Sequence, residues 1–468
     1  MNATLAPERV RQLGRAEGDP ETLAALTAGQ HTRRLLLLRV LLDALDAAGS
    51  TRDPATALAA EHAELLQEVE RTAPTSARRV LFYSLTGPWA ERCVQWLEGG
   101  RAALAGRGAQ GEAARDIRRD IRRDIAHLGS LAAAAAARSG FGFRTRLTVH
   151  DGRVHLPTLG ALRCPAPEGH GVALAGEPGR LLLRPQGMAA TEVHHTEAGW
   201  RSADPNWLPL HTLDGGPRPV LLDDLDPSRF VHRSGTVGQE APEELPPAER
   251  ARWERLWHQA LPLLNLGGPA RAAELALLDC LVPIPPAAEA GVSHYSGTSA
   301  RAFGAVVASP PPSPAELAAG LAHELQHAKL SALGDLLPLH TAGPERRYWA
   351  PWRPDPRPFD GLLQGTYAHL ALAAFWQHLA LALADPAERD HAWAAHARTH
   401  AQVGAVLPVL RGARRLTDAG RLFIQAIAER HEELRQTPPP TGHAVRAAAY
   451  VETARTLWLR RHGRRTVT

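Results

Sequence analysis

The chain has 468 residues, of which 44% are hydrophobic and 22% charged, and a formal net charge of +4. That is the profile of a globular protein long enough for two or three well-filled domains. So small a charge, with few dense basic patches, excludes the concentrated electrostatic footprint of a nucleic-acid binder. The three cysteines, Cys93, Cys164 and Cys280, are widely spaced and odd in number. They argue against a disulfide scaffold or a cysteine zinc knuckle and for buried thiols in a reducing cytoplasm.

Residues 1–140 are expected to form an N-terminal helical region. The opening MNATLAPERVRQLG carries no apolar run behind a basic start, so no signal peptide is expected. TRRLLLLRVLLDAL is too short and too charged to span a bilayer and reads as a core helix, so no membrane partner is expected. Apolar residues recur at three- and four-residue spacing over 32–47 and 56–70. ARDIRRDIRRDI (114–125) sets Ile117, Ile121 and Ile125 on one stripe, with Asp and Arg alternating around it as in a solvated, ion-paired helix. Gly140 is a good stop.

Residues 141–244 change texture and are expected to be a small β-rich unit. Asp151-Gly152 marks a hairpin turn, and Glu177-Pro178-Gly179 separates a second strand pair. The acidic VLLDDLDPSRF (220–230) lacks the glycine and terminal glutamate of a calcium-binding EF-hand loop and reads as a turn between strand and helix. Residues 245–434 return to helix and 435–468 form a final helix and a tail frayed at its end. The fold class expected is α+β, mostly α-helical, with a helical metal-binding core and a β-rich insertion.

Chemistry concentrates in LAHELQHAKL (321–330), which holds His323, Glu324 and His327 in an HExxH pattern. Ser313, Pro314 and Glu316 make a capping box with proline in the first turn, and Leu317, Leu321, Leu325 and Leu330 keep helical spacing. His323 and His327 therefore share a helix face and can share a divalent ion. In zinc peptidases the glutamate of this pattern deprotonates a metal-bound water. Here the continuation of one peptidase type fails at Leu330 and Leu333, and the acids that follow (Asp335, Glu345, Asp355, Asp360) do not sit in a convincing ligand helix.

Downstream, YWAPWRPDPRPFDGLLQGTYAHLALAAFW (348–376) sets Trp349, Trp352, Arg353 and Arg357 in a proline-stiffened loop, followed by a helix with Tyr367 and His369. Fixed arginines suit a bidentate carboxylate clamp. His369 is the leading third ligand. Asp360 is the other, and would complete a two-histidine, one-carboxylate set suited to Fe(II). Lys329 is the chain's only lysine, yet at about 100° per residue it points roughly 140° from the two histidines.

Together SHYSGTSARAFGAVVASP, HELQHAKL, YWAPWRPDPRPFDGLLQGTYAHL and RRLTDAGRLF, with LPTLG and LDDLDPSRF in the β unit, resemble a family of bacterial HExxH-motif peptide-modifying proteins. These occur with, or fused to, radical-SAM maturases in ribosomal-peptide pathways. The likeness covers residues 120–425. It implies an Fe(II)- and 2-oxoglutarate-dependent dioxygenase that β-hydroxylates a side chain of a ribosomal precursor peptide with O2, in the cytoplasm. Under it His323, His327 and His369 hold iron; Arg353, Arg357 or Lys329 takes the distal carboxylate of 2-oxoglutarate; and Glu324 orients a ligand or is itself a spare one. The rivals are a zinc (Zn) metallopeptidase that cleaves the precursor and a non-catalytic module that presents the peptide.

Overall fold

A computed structural model describes residues 5–48, 54–96, 112–229, 244–285 and 294–463. With 58% helix and 16% strand in several small sheets it is α+β and mostly helical. Among the described residues five helices lead: α1 (Pro7–Gly14), α2 (Pro20–Ala48), α3 (Pro54–Thr72), α4 (Pro74–Leu81) and α5 (Thr86–Gln95). Then comes α6 (Glu112–Ser139), which holds the Asp/Arg repeat. Side chains of that repeat through residue 118 lie outside the described residues. Among those described, Asp124 bonds Arg92 of α5 and Arg123 pairs with Asp151 beyond the helix, so these charges tie α6 to its neighbours. The expected fraying at 464–468 also falls outside the described residues.

The β-rich unit holds β1 (Phe143–Thr148), β2 (Arg153–Leu156), β3 (Gly160–Arg163), β4 (Gly171–Glu177), β5 (Arg180–Pro185), β6 (Thr191–Thr196), β7 (Gly199–Arg201) and β8 (Trp207–Pro209). Asp151 and Gly152 take positive φ (48° and 67°) and turn the chain as expected. The strands they join nonetheless part into different sheets. β1 pairs with β4, β2 pairs with β3, and a single bridge, His150 to Arg153, links the two arms. At Pro178-Gly179 the expected hairpin forms, with Glu177 opposite Arg180.

A second five-stranded sheet runs β12-β13-β11-β10-β9, from β9 (His211–Leu213), β10 (Val220–Leu222), β11 (Cys280–Pro283), β12 (Ser296–Gly297) and β13 (Ala305–Ala308). α7 (Pro247–Leu266) and α8 (Pro269–Glu274) lie between β10 and β11. α9 (Pro314–Leu336) carries HExxH, and its start is as expected: Ser313 Oγ accepts from the Glu316 amide with Pro314 in the first turn. A hairpin of β14 (Tyr348–Ala350) and β15 (Arg353–Arg357) leads into α10 (Phe359–Ala382). α11 (Pro386–Arg411), α12 (Asp418–Arg435) and α13 (Thr441–His462) complete the chain. No helix described is long and apolar enough to cross a membrane.

Apolar packing divides the chain within α2. Leu23 and Leu26 join Leu13, Trp253, Leu321, Leu363 and Phe423 in one core around α9 and α10. Leu38, Leu41 and Leu45 join Val69, Val80, Leu131, Leu174 and Leu183 in another, which packs α3, α4 and α6 on the β1-β4-β5-β6-β7 sheet. At 29 residues α2 is about 43 Å long, enough to serve both. Cys93, Cys164 and Cys280 are buried free thiols.

Candidate metal centre

α9 is buried along most of its length, but Gly320, His323, His327 and Ser331 form a stripe left partly open. On α10, Gly361, Gln364, His369 and Leu372 are likewise partly open between buried neighbours. The two helices pack together, and their open stripes carry the imidazoles. The Nε2 atoms of His323 and His327 lie 3.1 Å apart. Bonds of roughly 2.1 Å from one ion to two cis nitrogens put those nitrogens about 3 Å apart, so the spacing fits a shared metal. His327 donates from Nδ1 to Gln364 Oε1 (3.1 Å), which leaves the Nε2 lone pair for an ion. Gln364 Nε2 in turn approaches Ser331 Oγ at 3.4 Å. Nδ1 of His323 is buried without a partner. Surrounding protein, and then the neighbouring His327, push its pKa down to about 3, so the ring stays neutral, as a ligand must.

His369 stands beside this pair, its ring centroid 5.4 Å from that of His323. It donates from Nδ1 to Gly365 O at 2.8 Å, which turns Nε2 outward. His378 makes the same bond to Ala374 O, so the bond orients a ring without marking a ligand. What distinguishes His369 is its company. Trp352 stacks on it with centroids 4.3 Å apart and planes 22° from parallel. Burial first, and then His323, lower its pKa to about 3. His369 is not drawn in as tightly as the first two: no trio on His323 and His327 has all its donor atoms within 4.8 Å of one another among the described residues.

Glu324 turns away from the ring pair. It is 3% exposed, and its two carboxylate oxygens accept from Ser296 Oγ (2.8 Å) and Thr298 Oγ1 (3.1 Å). Ser296 is held by β12, on the edge of the sheet beside α9. The carboxylate therefore fastens the HExxH helix to that edge.

The remaining expected site residues are scattered. Arg353 and Arg357 lie in β15 and share one partner, Asp355, at 3.3 Å each. Arg357 also lies over Gly361, in the first turns of α10 on the approach to His369. Asp360 is exposed and pairs with His340 at 3.5 Å. Lys329 is a correction to the expected cosubstrate role: it is fully buried in an ion pair with Glu274 at 2.5 Å. Tyr367 is core, packed on Phe423.

Four contributors were not singled out from sequence: Ser296, Thr298, Gln364 and Gly365. All lie inside stretches that carry the family resemblance, but nothing in their spacing says which side chains they meet. Gly365 matters because a Cβ there would lie 2.5 Å from the Trp352 ring, so only glycine lets the indole reach His369. No family model matches the chain, and no curated protein matches it.

Proposed function

We propose that the chain is an Fe(II)- and 2-oxoglutarate-dependent hydroxylase acting on the β-carbon of a residue in a ribosomally made precursor peptide, in the cytoplasm. The observation that carries this is the pair of imidazoles with Nε2 atoms 3.1 Å apart, beside a glutamate whose oxygens are both taken up by hydroxyls. A peptidase needs that glutamate free to take a proton from water. An oxygenase does not.

Iron with 2-oxoglutarate and dioxygen supplies oxidative decarboxylation, in which one oxygen atom enters succinate beside released CO2 and the other enters a peptide C–H as hydroxyl. The chain's own residues do the rest. His323 and His327 would hold the ion, with His369 beside them as a further imidazole, and Gln364 would fix the tautomer of His327. Trp352 covers one face of His369 and keeps water from it. Arg357 and Arg353 are the cations for the distal carboxylate, which would replace Asp355 as their partner. Glu324 positions α9 against β12. A radical-SAM maturase of the same pathway is the natural companion.

The test incubates purified chain, Fe(II), 2-oxoglutarate and a precursor peptide under air. Succinate formed together with a peptide heavier by one oxygen supports the reading, and His323→Ala should abolish both. A shortened peptide with no succinate would establish the zinc peptidase instead. Pathway output unchanged by His323→Ala would favour the presenting module.

A further inference from the structure

The closest gathering of metal-ligating atoms lies elsewhere. His127 of α6, His155 of β2 and Asp226, in the turn after β10, bring one donor atom each within 4.8 Å of the others, the one such trio among the described residues. We propose that these three side chains form a second metal site, distinct from the HExxH centre, for a first-row divalent ion that fastens α6, the β2–β3 hairpin and the exit of β10 together.

The strongest sign is His155. It is 8% exposed, and neither ring nitrogen has a hydrogen-bond partner. Buried polar atoms are rarely left so, because their lost hydration is then uncompensated. An ion between the rings and the carboxylate would engage one of those nitrogens. The two imidazole planes lie 6° from parallel with centroids 5.8 Å apart, too far to bond each other directly.

The carboxylate is held in place. Asp223 Oδ1 accepts from the amides of Leu225 and Asp226, which fixes the turn, and Asp226 Oδ1 accepts from the Ser228 amide at 2.6 Å. Trp89 leans on His127 at 5.4 Å. Asp223 and Asp226 are both buried beside Arg229, which donates to Asp226 O at 2.8 Å, and a dication would add a second positive charge to this acidic pair. Two imidazoles and one carboxylate suit zinc or iron, and the burial of His155 and Asp226 fits an ion enclosed by protein rather than a substrate that must enter and leave. The three segments come from the N-terminal helices, the β-rich unit and the second sheet. A structural ion there joins parts of the chain that no single helix connects.

The test uses the full chain carrying His323→Ala and His327→Ala, so that the HExxH pair cannot contribute. It is loaded with Zn(II), desalted and analysed for metal by mass spectrometry. About one zinc per chain is expected, with ligand-field absorption when Co(II) replaces it. Adding Asp226→Asn, which keeps the side chain's shape, should lower zinc retention at least about tenfold with the helical circular dichroism unchanged. His155→Ala should do the same. Stoichiometric zinc surviving both replacements, or no zinc in the parent double variant, overturns the proposal. Neither result bears on the hydroxylase reading, because that centre has been removed.

Discussion

Three acceptors surround the Nζ of Lys329: Glu274 Oε1 at 2.5 Å, Gln326 Oε1 at 2.9 Å and Glu17 O at 3.0 Å. An ammonium has three N–H donors, and here each has a target, which a planar guanidinium would not match. That accounts for a lone lysine in an arginine-rich chain. Burial lowers its pKa to about 8, and the Glu274 carboxylate works against that shift. Lys329→Met should therefore cost about 2 kcal/mol in urea unfolding, since Gln326 Oε1 and Glu17 O lose their donor while Arg271 still pairs with Glu274 at 3.0 Å, and should leave the KM for 2-oxoglutarate unchanged. A raised KM at unchanged stability would return this lysine to the cosubstrate. Glu324→Gln separates two chemistries in the same way. Loss of a general base costs about 10²-fold or more, whereas a positioning carboxylate whose partners are two hydroxyls should cost under about tenfold and leave the metal content intact. Sequence revealed the direction of Lys329, through helix geometry, but not its partners. Glu17 and Glu274 reach it only through tertiary packing.

At the scale of elements, the helix start at Ser313 was legible because a cap is a local hydrogen bond between near neighbours. The stretch before α10 was less so. Its prolines suggested a stiff loop, and it is a hairpin in which Ala350 faces Arg353 and Trp352 sits at the tip. Proline is tolerated in a strand whose amide needs no ladder partner, which is the position of Pro354 and Pro356 in the two-stranded sheet. That hairpin delivers the indole to His369 through the gap at Gly365. Gly365→Ala tests the arrangement against propensity. Alanine favours helix by up to about 1 kcal/mol, so α10 itself should not weaken, but the new Cβ meets the indole at 2.5 Å and must displace it. Metal affinity should fall by about tenfold as His369 loses its support, with a change in tryptophan emission. An unchanged affinity would show that Trp352 plays no part in the centre.

Across the whole molecule, composition and periodicity were enough for the α+β, mostly helical class, because summed local preferences decide it. They did not reveal that α2 spans two cores or that the Asp151-Gly152 turn divides two sheets, since both depend on which distant faces are apolar together. The same burial leaves several histidines neutral in the folded state. Burial is the main cause for His211, His396 and His431, each lowered to about 4 from the usual 6.5. Below pH 6.5 the unfolded chain takes up protons at these rings that the folded chain refuses, so stability is full above the unfolded value and is lost as pH falls toward 4. Each ring contributes at most about 1.4 kcal/mol per pH unit, and less where it is partly exposed. Asp224, raised by burial, and Asp226, raised by burial to about 7, act in the opposite direction over part of that range. With three rings against these two carboxyls, the urea midpoint should drop between about pH 7.5 and about pH 5 at fixed ionic strength. His396→Gln, at the most deeply buried of the three, should flatten that slope. A midpoint that stays level over this interval would mean that the imidazoles are charged in the fold and that their surroundings are wetter than the packing implies.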